Sequence, residues 1–137
     1  MKFIVEKGGF APVREHATDA GIDLKTPIDI VIPPHSSEFV DLLVRVEIPS
    51  GYVGLLTSKS GLMTKSGIKT TGTIDNGYSG TVGCKIFNHS GNRVSFKRGD
   101  KVTQLVVLPC IMDEVEIVDN IYSGDRGENG FGSTGER

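Results

Sequence analysis

Three stretches of the sequence set polar residues where a buried core would not want them. In "ATDAGIDL" (17–24), Asp23 lies between Ile22 and Leu24, just after Gly21. Such an aspartate either closes a turn at a strand edge or stands near a metal or a polar ligand. In "TSKSGLM" (57–63), a Ser58-Lys59-Ser60-Gly61 turn runs into helix formers. The free N–H groups and positive dipole end of a helix start attract anions, and Lys59 and Ser60 add a charge and a hydroxyl. The same residues also suit a capped surface helix. In "TTGTIDNGYSGTVGCKIFN" (70–88), Asn76-Gly77 signals a tight hairpin, with Ile74 and Tyr78 as its flanking strand residues. Asp75 stands at the turn entrance, where an Asx turn is the plain alternative to catalysis. Gly72, Gly77, Gly80 and Gly83 leave that hairpin's backbone bare enough to read a flat ligand, and Tyr78 supplies an aromatic wall. The chain closes on "DRGENGFGSTGER" (125–137), rich in glycine with one phenylalanine. A phosphate-handling turn, a bare hairpin with carboxylate and aromatic, and an Arg/Gly/Phe/Ser/Thr tail fit one ligand type: a flat ring, a sugar and a phosphate chain.

The elements that must position these residues read as β structure. From Val40 to Ile48, apolar residues at even positions alternate with Asp41, Arg45 and Glu47, broken only by Leu43. "IDIVI" puts Ile28, Ile30 and Ile32 on one face, "QLVVL" (104–108) reads as a strand buried on both faces, and "EVEIV" (114–118) as a half-buried one. Turn signals recur at short spacing, including Pro33-Pro34, Asn76-Gly77, Ser90-Gly91-Asn92 and Arg98-Gly99-Asp100. Many short strands with such turns predict a sandwich or barrel. "SGLMTKSG" (60–67) lacks alternation and predicts one short helix starting near Ser60. After Ile121 and Tyr122 the only large apolar residue is Phe131, so the tail cannot bury enough area to repay its own ordering. The expectation is one domain over 1–122 and a flexible glycine-rich arm over 123–137.

The totals bound the rest. The chain has 137 residues, enough for a core without disulfide help. A net charge of −2 with no strong basic run argues against a nucleic-acid surface. The first residues carry no apolar signal region and no stretch nears the ~18 apolar residues of a membrane span, so a cytoplasmic protein is expected. Cys84 and Cys110 sit in apolar surroundings and read as buried reduced thiols. His16, His35 and His89 are scattered and read as surface or turn residues.

Taken in order, these residues resemble the trimeric dUTP pyrophosphatase (dUTPase) family. "ATDAGIDL", "SKSG" (58–61), "GTIDNGYSG" (72–80), "GDKVTQL" (99–105) and "RGENGFGSTG" (126–135) match its five motifs in sequence, over almost the whole chain. The resemblance implies a β jelly-roll (distorted β-barrel) subunit, a homotrimer with sites at subunit interfaces, and cleavage of dUTP to dUMP and pyrophosphate with Mg²⁺. It implies Asp75 as the general base that activates water and Tyr78 against the deoxyribose. Backbone groups of Gly72, Thr73, Ile74 and Gly83 would read uracil. Lys59, Ser60, Gly61 and Gln104 would hold phosphates, and Asp23 would anchor Mg²⁺ through water. In the arm, Phe131 would cover the base while Arg126, Ser133 and Thr134 hold the γ-phosphate. The chain departs from the family pattern at Lys59, where arginine is usual, at Lys69, where asparagine is common, at Ser79 and Thr81 after the tyrosine, and at Asn129. Two other functions compete: a nucleotide-binding regulator on the same scaffold, and a dCTP deaminase. The deaminase needs a glutamate shortly after the hairpin, and residues 80–92 hold no carboxylate.

Overall fold

The computed structural model describes residues 1–122 and contains ten strands and one helix there. The centre is a six-stranded antiparallel sheet in the order β2-β10-β6-β7-β8-β4. Its strands are β2 (Ile22–Lys25), β4 (Ser37–Asp41), β6 (Tyr52–Thr57), β7 (Ile68–Ile74), β8 (Gly83–Asn88) and β10 (Lys101–Pro109). Two short antiparallel pairs complete the fold: β1 (Phe3–Val5) with β5 (Val44–Val46), and β3 (Ile30–Ile32) with β9 (Val94–Phe96). The result is an all-β jelly roll in which the large sheet curls over the two small ones.

Period-two patterning builds the core. Along β8, Cys84, Ile86 and Asn88 point inward while Gly83, Lys85 and Phe87 face out. Leu24, Leu56, Ile68, Ile74 and Leu105 of the large sheet share one buried cluster with Ile30, Ile32, Val44, Val46 and Phe96 of the small pairs. Asn88 is one of the polar side chains buried beside them. Asn88 donates to the carbonyls of Ile32, Pro33 and Asn92 and accepts from Ser90, which ties β8 to the two turns beside it. A buried amide satisfied this way specifies register rather than costing stability.

The single helix, α1 (Ser60–Ser66), forms where the sequence predicts it and ends on Gly67 in the left-handed region at φ 62°.

Five local expectations change. The alternating run from Val40 to Ile48 is two strands, not one. Leu43 adopts φ 54° while its N–H bonds to the Asp41 carboxylate at 2.9 Å, and the chain leaves the large sheet to pair with β1. Ile28 stays outside its strand and is exposed, because Thr26 bonds both the N–H and the carbonyl of residue 28 and turns the backbone there. β10 is buried on both faces only near Val102 and Thr103, and Leu108 is exposed. Residues 114–118 form no strand. Val115 and Ile117 are 94% and 96% exposed, since the described residues offer them no partner strand. Cys84 is buried as expected, but Cys110 is exposed just past the end of β10.

Candidate active site

The predicted residues fold into two separate groups. The first grows from the register of three neighbouring strands. Gln104 of β10 pairs with Asp23 of β2 on one side and with Thr57 of β6 on the other. Thr57 leads directly into the turn that carries Lys59 and the start of α1. Asp23, Lys59, Ser60, Gly61 and Gln104 therefore meet at one corner of the outer sheet face. The Gln104 side-chain amide donates to the Ser58 carbonyl at 3.1 Å. Gly21 makes room for it: a Cβ at that position would lie 2.1 Å from the Gln104 side-chain oxygen.

Asp23 is nearly buried and has two ammonium partners. Its Oδ1 accepts from Lys59, and its Oδ2 pairs with Lys101 Nζ at 2.9 Å. Lys101 also reaches Glu15 at 2.6 Å, so Glu15, Lys101, Asp23 and Lys59 form a chain of alternating charge. Burial acts to raise the Asp23 carboxyl, but the hydrogen bonds and charges of the two lysines outweigh it and hold it below the usual value. The same contacts raise Lys101, with Glu15 as the larger cause. Two clefts open on either side of this chain, of about 440 and 460 Å³, and share Lys59, Lys101 and Gln104 as a common wall. Glu15, His16 and Asp19 rim the first, and Ser60, Gly61 and Lys65 the second.

Lys101 has no role in the sequence reading, and strand alternation explains why. Lys101 stands three positions before Gln104, an odd offset that would place the two on opposite faces. A register shift between Lys101 and Thr103 adds the extra residue, so both Lys101 and Gln104 face the cleft.

The second group surrounds the end of β7. On the β6 side the ladder runs to Ile74, but on the β8 side it stops at the Thr71–Lys85 pair. Beyond that point Gly72, Thr73 and Ile74 face the start of β8 at Gly83 with no ladder between them. A flat ring can meet backbone N–H and C=O groups in such a gap.

The connection that follows is longer than a two-residue hairpin. Residues 75–82 lie outside both strands, so Tyr78 belongs to the loop and does not flank the turn as a strand residue. Tyr78 N–H donates to the Asp75 carbonyl at 3.2 Å, with Gly77 at φ 84°. This is a four-residue β-turn whose third position requires a left-handed residue. Asn76 pins it by donating to the Ile48 carbonyl at 2.7 Å, and the Tyr78 hydroxyl donates to the Thr81 carbonyl at 2.9 Å. Asp75 is exposed at the entrance of the turn, and the half-exposed Tyr78 ring lines a wider depression of about 720 Å³ with Asn76 and residues of β1 and β5.

The two groups do not meet within one chain. Asp75 lies four residues beyond Thr71, and Thr71 is two strands from Gln104 through Thr57. At ~3.3 Å per residue and ~4.8 Å per strand, Asp75 and Gln104 are ~16 Å apart. Arg126, Phe131, Ser133 and Thr134 lie outside the described residues. No helix among the described residues is long and apolar enough to cross a membrane.

The chain is thus an all-β jelly roll with a lysine–carboxylate cleft at one sheet corner and a separate backbone gap beside the turn that begins at Asp75. A family model described as dUTPase matches residues 9–135. The deoxyuridine 5'-triphosphate nucleotidohydrolase of Gloeothece citriformis is 39% identical over 134 residues, spanning 96% of this chain and 92% of its own. That of Saccharomyces cerevisiae is 37% identical over 126 residues, spanning 90% and 86%. The dUTPase of Staphylococcus bacteriophage 80alpha, solved with dUPNHPP, shares 32% identity at a TM-score of 0.89, covering 98% of this chain and 97% of that one. A variant dUTPase of phage phi11 of S. aureus, described with a structural Mg(II) ion, has a TM-score of 0.81 at 30% identity, covering 89% and 98%. This chain belongs to the dUTPase family.

Proposed function

We propose that this protein hydrolyses dUTP to dUMP and pyrophosphate, with Mg²⁺, at sites formed between the subunits of a homotrimer. The product dUMP would supply thymidylate synthesis while dUTP is kept low. The observation that carries the reading is that the described motif residues gather into two groups, a lysine-bearing corner and an unpaired backbone gap, within a chain of this family.

In this reading Lys59, Ser60, Gly61 and Gln104 hold the phosphate chain, where Lys59 acts as a point charge in place of a bidentate fork. The backbone of Gly72, Thr73, Ile74 and Gly83 reads uracil in the unpaired gap beside β7. A backbone reader of that kind rejects cytosine by mismatching donors and acceptors, and a close fit rejects the methyl of thymine. The Tyr78 ring packs against the deoxyribose and leaves no room for a 2′-hydroxyl. Asp75, exposed at the turn entrance, takes a proton from the water that attacks the α-phosphorus. Arg126, Phe131, Ser133 and Thr134 belong to a C-terminal arm over 123–137 that closes the site, Phe131 over the base and the others at the γ-phosphate.

The described residues form no group able to hold a bare metal ion directly, so Mg²⁺ in the first cleft would keep its waters and rest chiefly on the phosphates. The acidic groups of that cleft, Asp23 with Glu15 and Asp19 on the rim, offer only oxygen donors. Asp23 would hold the ion through water. When bound, Mg²⁺ would neutralise charge on the phosphate oxygens.

Two features support the trimer. The ~16 Å between Asp75 and Gln104 sets the two groups apart within one chain, as sites shared between subunits would require. Past β10, the apolar side chains of Ile111, Val115, Ile117, Val118 and Ile121 stand in solvent on a segment with no strand partner of its own, and a second copy can cover them.

Pyrophosphate release from dUTP, dTTP, dCTP and UTP tests the proposal. Rapid release from dUTP alone is the expected outcome. Tight nucleotide binding without release would assign the chain to the regulatory class, and ammonia from dCTP would assign it to the deaminases.

A further inference from the structure

The loop between β7 and β8 lies along the stretch where the chain leaves the large sheet for β5. Near its start, Asn76 donates to the Ile48 carbonyl at 2.7 Å. At its end, the Val82 carbonyl accepts from Leu42 N–H at 2.9 Å and the Val82 N–H donates to the Val44 carbonyl at 2.8 Å. Between these ends two side chains of the same stretch hold the loop. Arg45 of β5 donates to the Ser79 carbonyl at 3.2 Å, and the Asp41 carboxylate accepts from the Thr81 hydroxyl at 2.8 Å. Both holders are themselves fixed. Arg45 Nε donates to Glu6 at 2.6 Å, and the Glu6 N–H donates to the Leu43 carbonyl at 2.9 Å. The other oxygen of Asp41 accepts the Leu43 N–H at 2.9 Å.

The Tyr78 ring takes its orientation from the segment these contacts hold. Its hydroxyl donates to the Thr81 carbonyl at 2.9 Å. The ring lies over Gly80, where a Cβ would come within 2.6 Å of Tyr78 Cζ. Residues 79 to 81 thus set the ring, and Arg45 and Asp41 set residues 79 and 81. We propose that Arg45 and Asp41 are positioning residues for Tyr78, and that through it they determine how strictly the site takes a deoxyribose over a ribose. The proposal rests on the reading of Tyr78 as the sugar contact and adds what holds it there. An aromatic wall rejects a hydroxyl by filling its place, so a displacement of about 1 Å is enough to weaken the rejection. The turn at Leu43 acquires a second use in this account. It moves the chain between sheets, and it brings Asp41 and Arg45 to the same loop from opposite sides of the switch.

Arg45→Met and Thr81→Val each remove one contact and leave the Asp41–Leu43 bond in place. Protein labelled with 3-fluorotyrosine gives fluorine resonances from Tyr52, Tyr78 and Tyr122, and Tyr78→Phe assigns the one that matters. In the nucleotide-free protein both variants should shift the Tyr78 resonance and leave that of Tyr52 where it was. In pyrophosphate-release kinetics, the ratio of kcat/KM for dUTP to that for UTP should fall about tenfold, chiefly through a higher KM for dUTP. Thr81→Ser keeps the hydroxyl and should match wild type in both measurements. Gly80→Ala displaces the ring without touching Arg45 or Asp41 and should lower the ratio equally. A Tyr78 resonance unmoved in Arg45→Met and Thr81→Val would overturn the positioning role. A resonance that moves while the ratio stays within twofold of wild type would overturn the link to sugar selection. A failure of the dUTPase reading would show instead as no pyrophosphate release by wild type from any nucleotide, and it would leave the fluorine comparison readable.

Discussion

Gly21→Ala separates the contribution of Gln104 to binding from its contribution to stability. A Cβ at residue 21 would lie 2.1 Å from the Gln104 side-chain oxygen and 2.8 Å from its Cδ, where ordinary contact begins at 3.4 Å. The obstructing atoms are the far end of a flexible side chain, so the amide retreats by about 1.3 Å and the backbone stays. The retreat breaks the 3.1 Å bond to the Ser58 carbonyl, at a cost of about 1 kcal/mol. Gly21 does not adopt a positive φ, so alanine fits its backbone and recovers about 0.4–1 kcal/mol by restricting the unfolded chain. The two nearly cancel, and the thermal midpoint should move by no more than ~3 °C. A hydrogen bond from Gln104 to a phosphate is charge-assisted, worth about 1.5–3 kcal/mol, so its misplacement should lower kcat/KM for dUTP by about 10- to 100-fold. Pyrophosphate-release kinetics and a melting curve on the same preparation decide the matter. In a double-mutant cycle, Gly21→Ala should add little to Gln104→Ala. If Gly21→Ala keeps kcat/KM within twofold of wild type, or loses activity only in step with stability, then the Gln104 amide does not hold phosphate.

Asp75→Asn should cut pyrophosphate release by at least ~10²-fold while the dissociation constant for a non-hydrolysable dUTP analogue stays near wild type. Binding and release lost together would give Asp75 a structural part in the turn. Deleting residues 125–137 should leave the circular dichroism spectrum and melting point unchanged but sharply lower turnover; unchanged kinetics would remove the arm from the site. The proposed trimer predicts that Val115→Asp with Ile117→Asp lowers the sedimentation coefficient to that of smaller species and abolishes activity in parallel; an unchanged sedimentation coefficient would remove this segment from any subunit contact.

What the sequence reveals and conceals follows the range of the forces involved. The helix at 60–66 and the inward residues Ile30, Ile32, Val40, Leu42, Val44, Val46 and Ile48 depend on local spacing and were readable, and polar residues such as Asp23 and Lys59 stood out because their chemistry is strange for a core. The sheet switch at Leu43 was hidden. Its cause is a non-glycine residue with positive φ, held by a side chain two residues away, and the alternation of buried positions runs straight through it. Lys101 was hidden by the bulge that rotates it onto the face of Gln104, since an extra residue in a strand leaves the composition untouched. Val115 and Ile117 carry a genuine strand pattern, but a pattern states only that one face wants cover and is silent on which chain supplies it. The separation of Asp75 from Gln104 is a matter of register across three strands, which no linear spacing encodes.

That separation has a consequence for heredity. If each site draws Asp75 from one subunit and Gln104 from the next, two defective copies of this protein need not be jointly defective. A chain lacking Asp75 still offers a sound phosphate corner, and a chain lacking Gln104 still offers a sound turn. Going round any mixed ring of three, one junction always sets the good turn against the good corner. Two inactive alleles expressed together would then restore part of the activity, while either one expressed alone with the wild type would poison sites belonging to its neighbours.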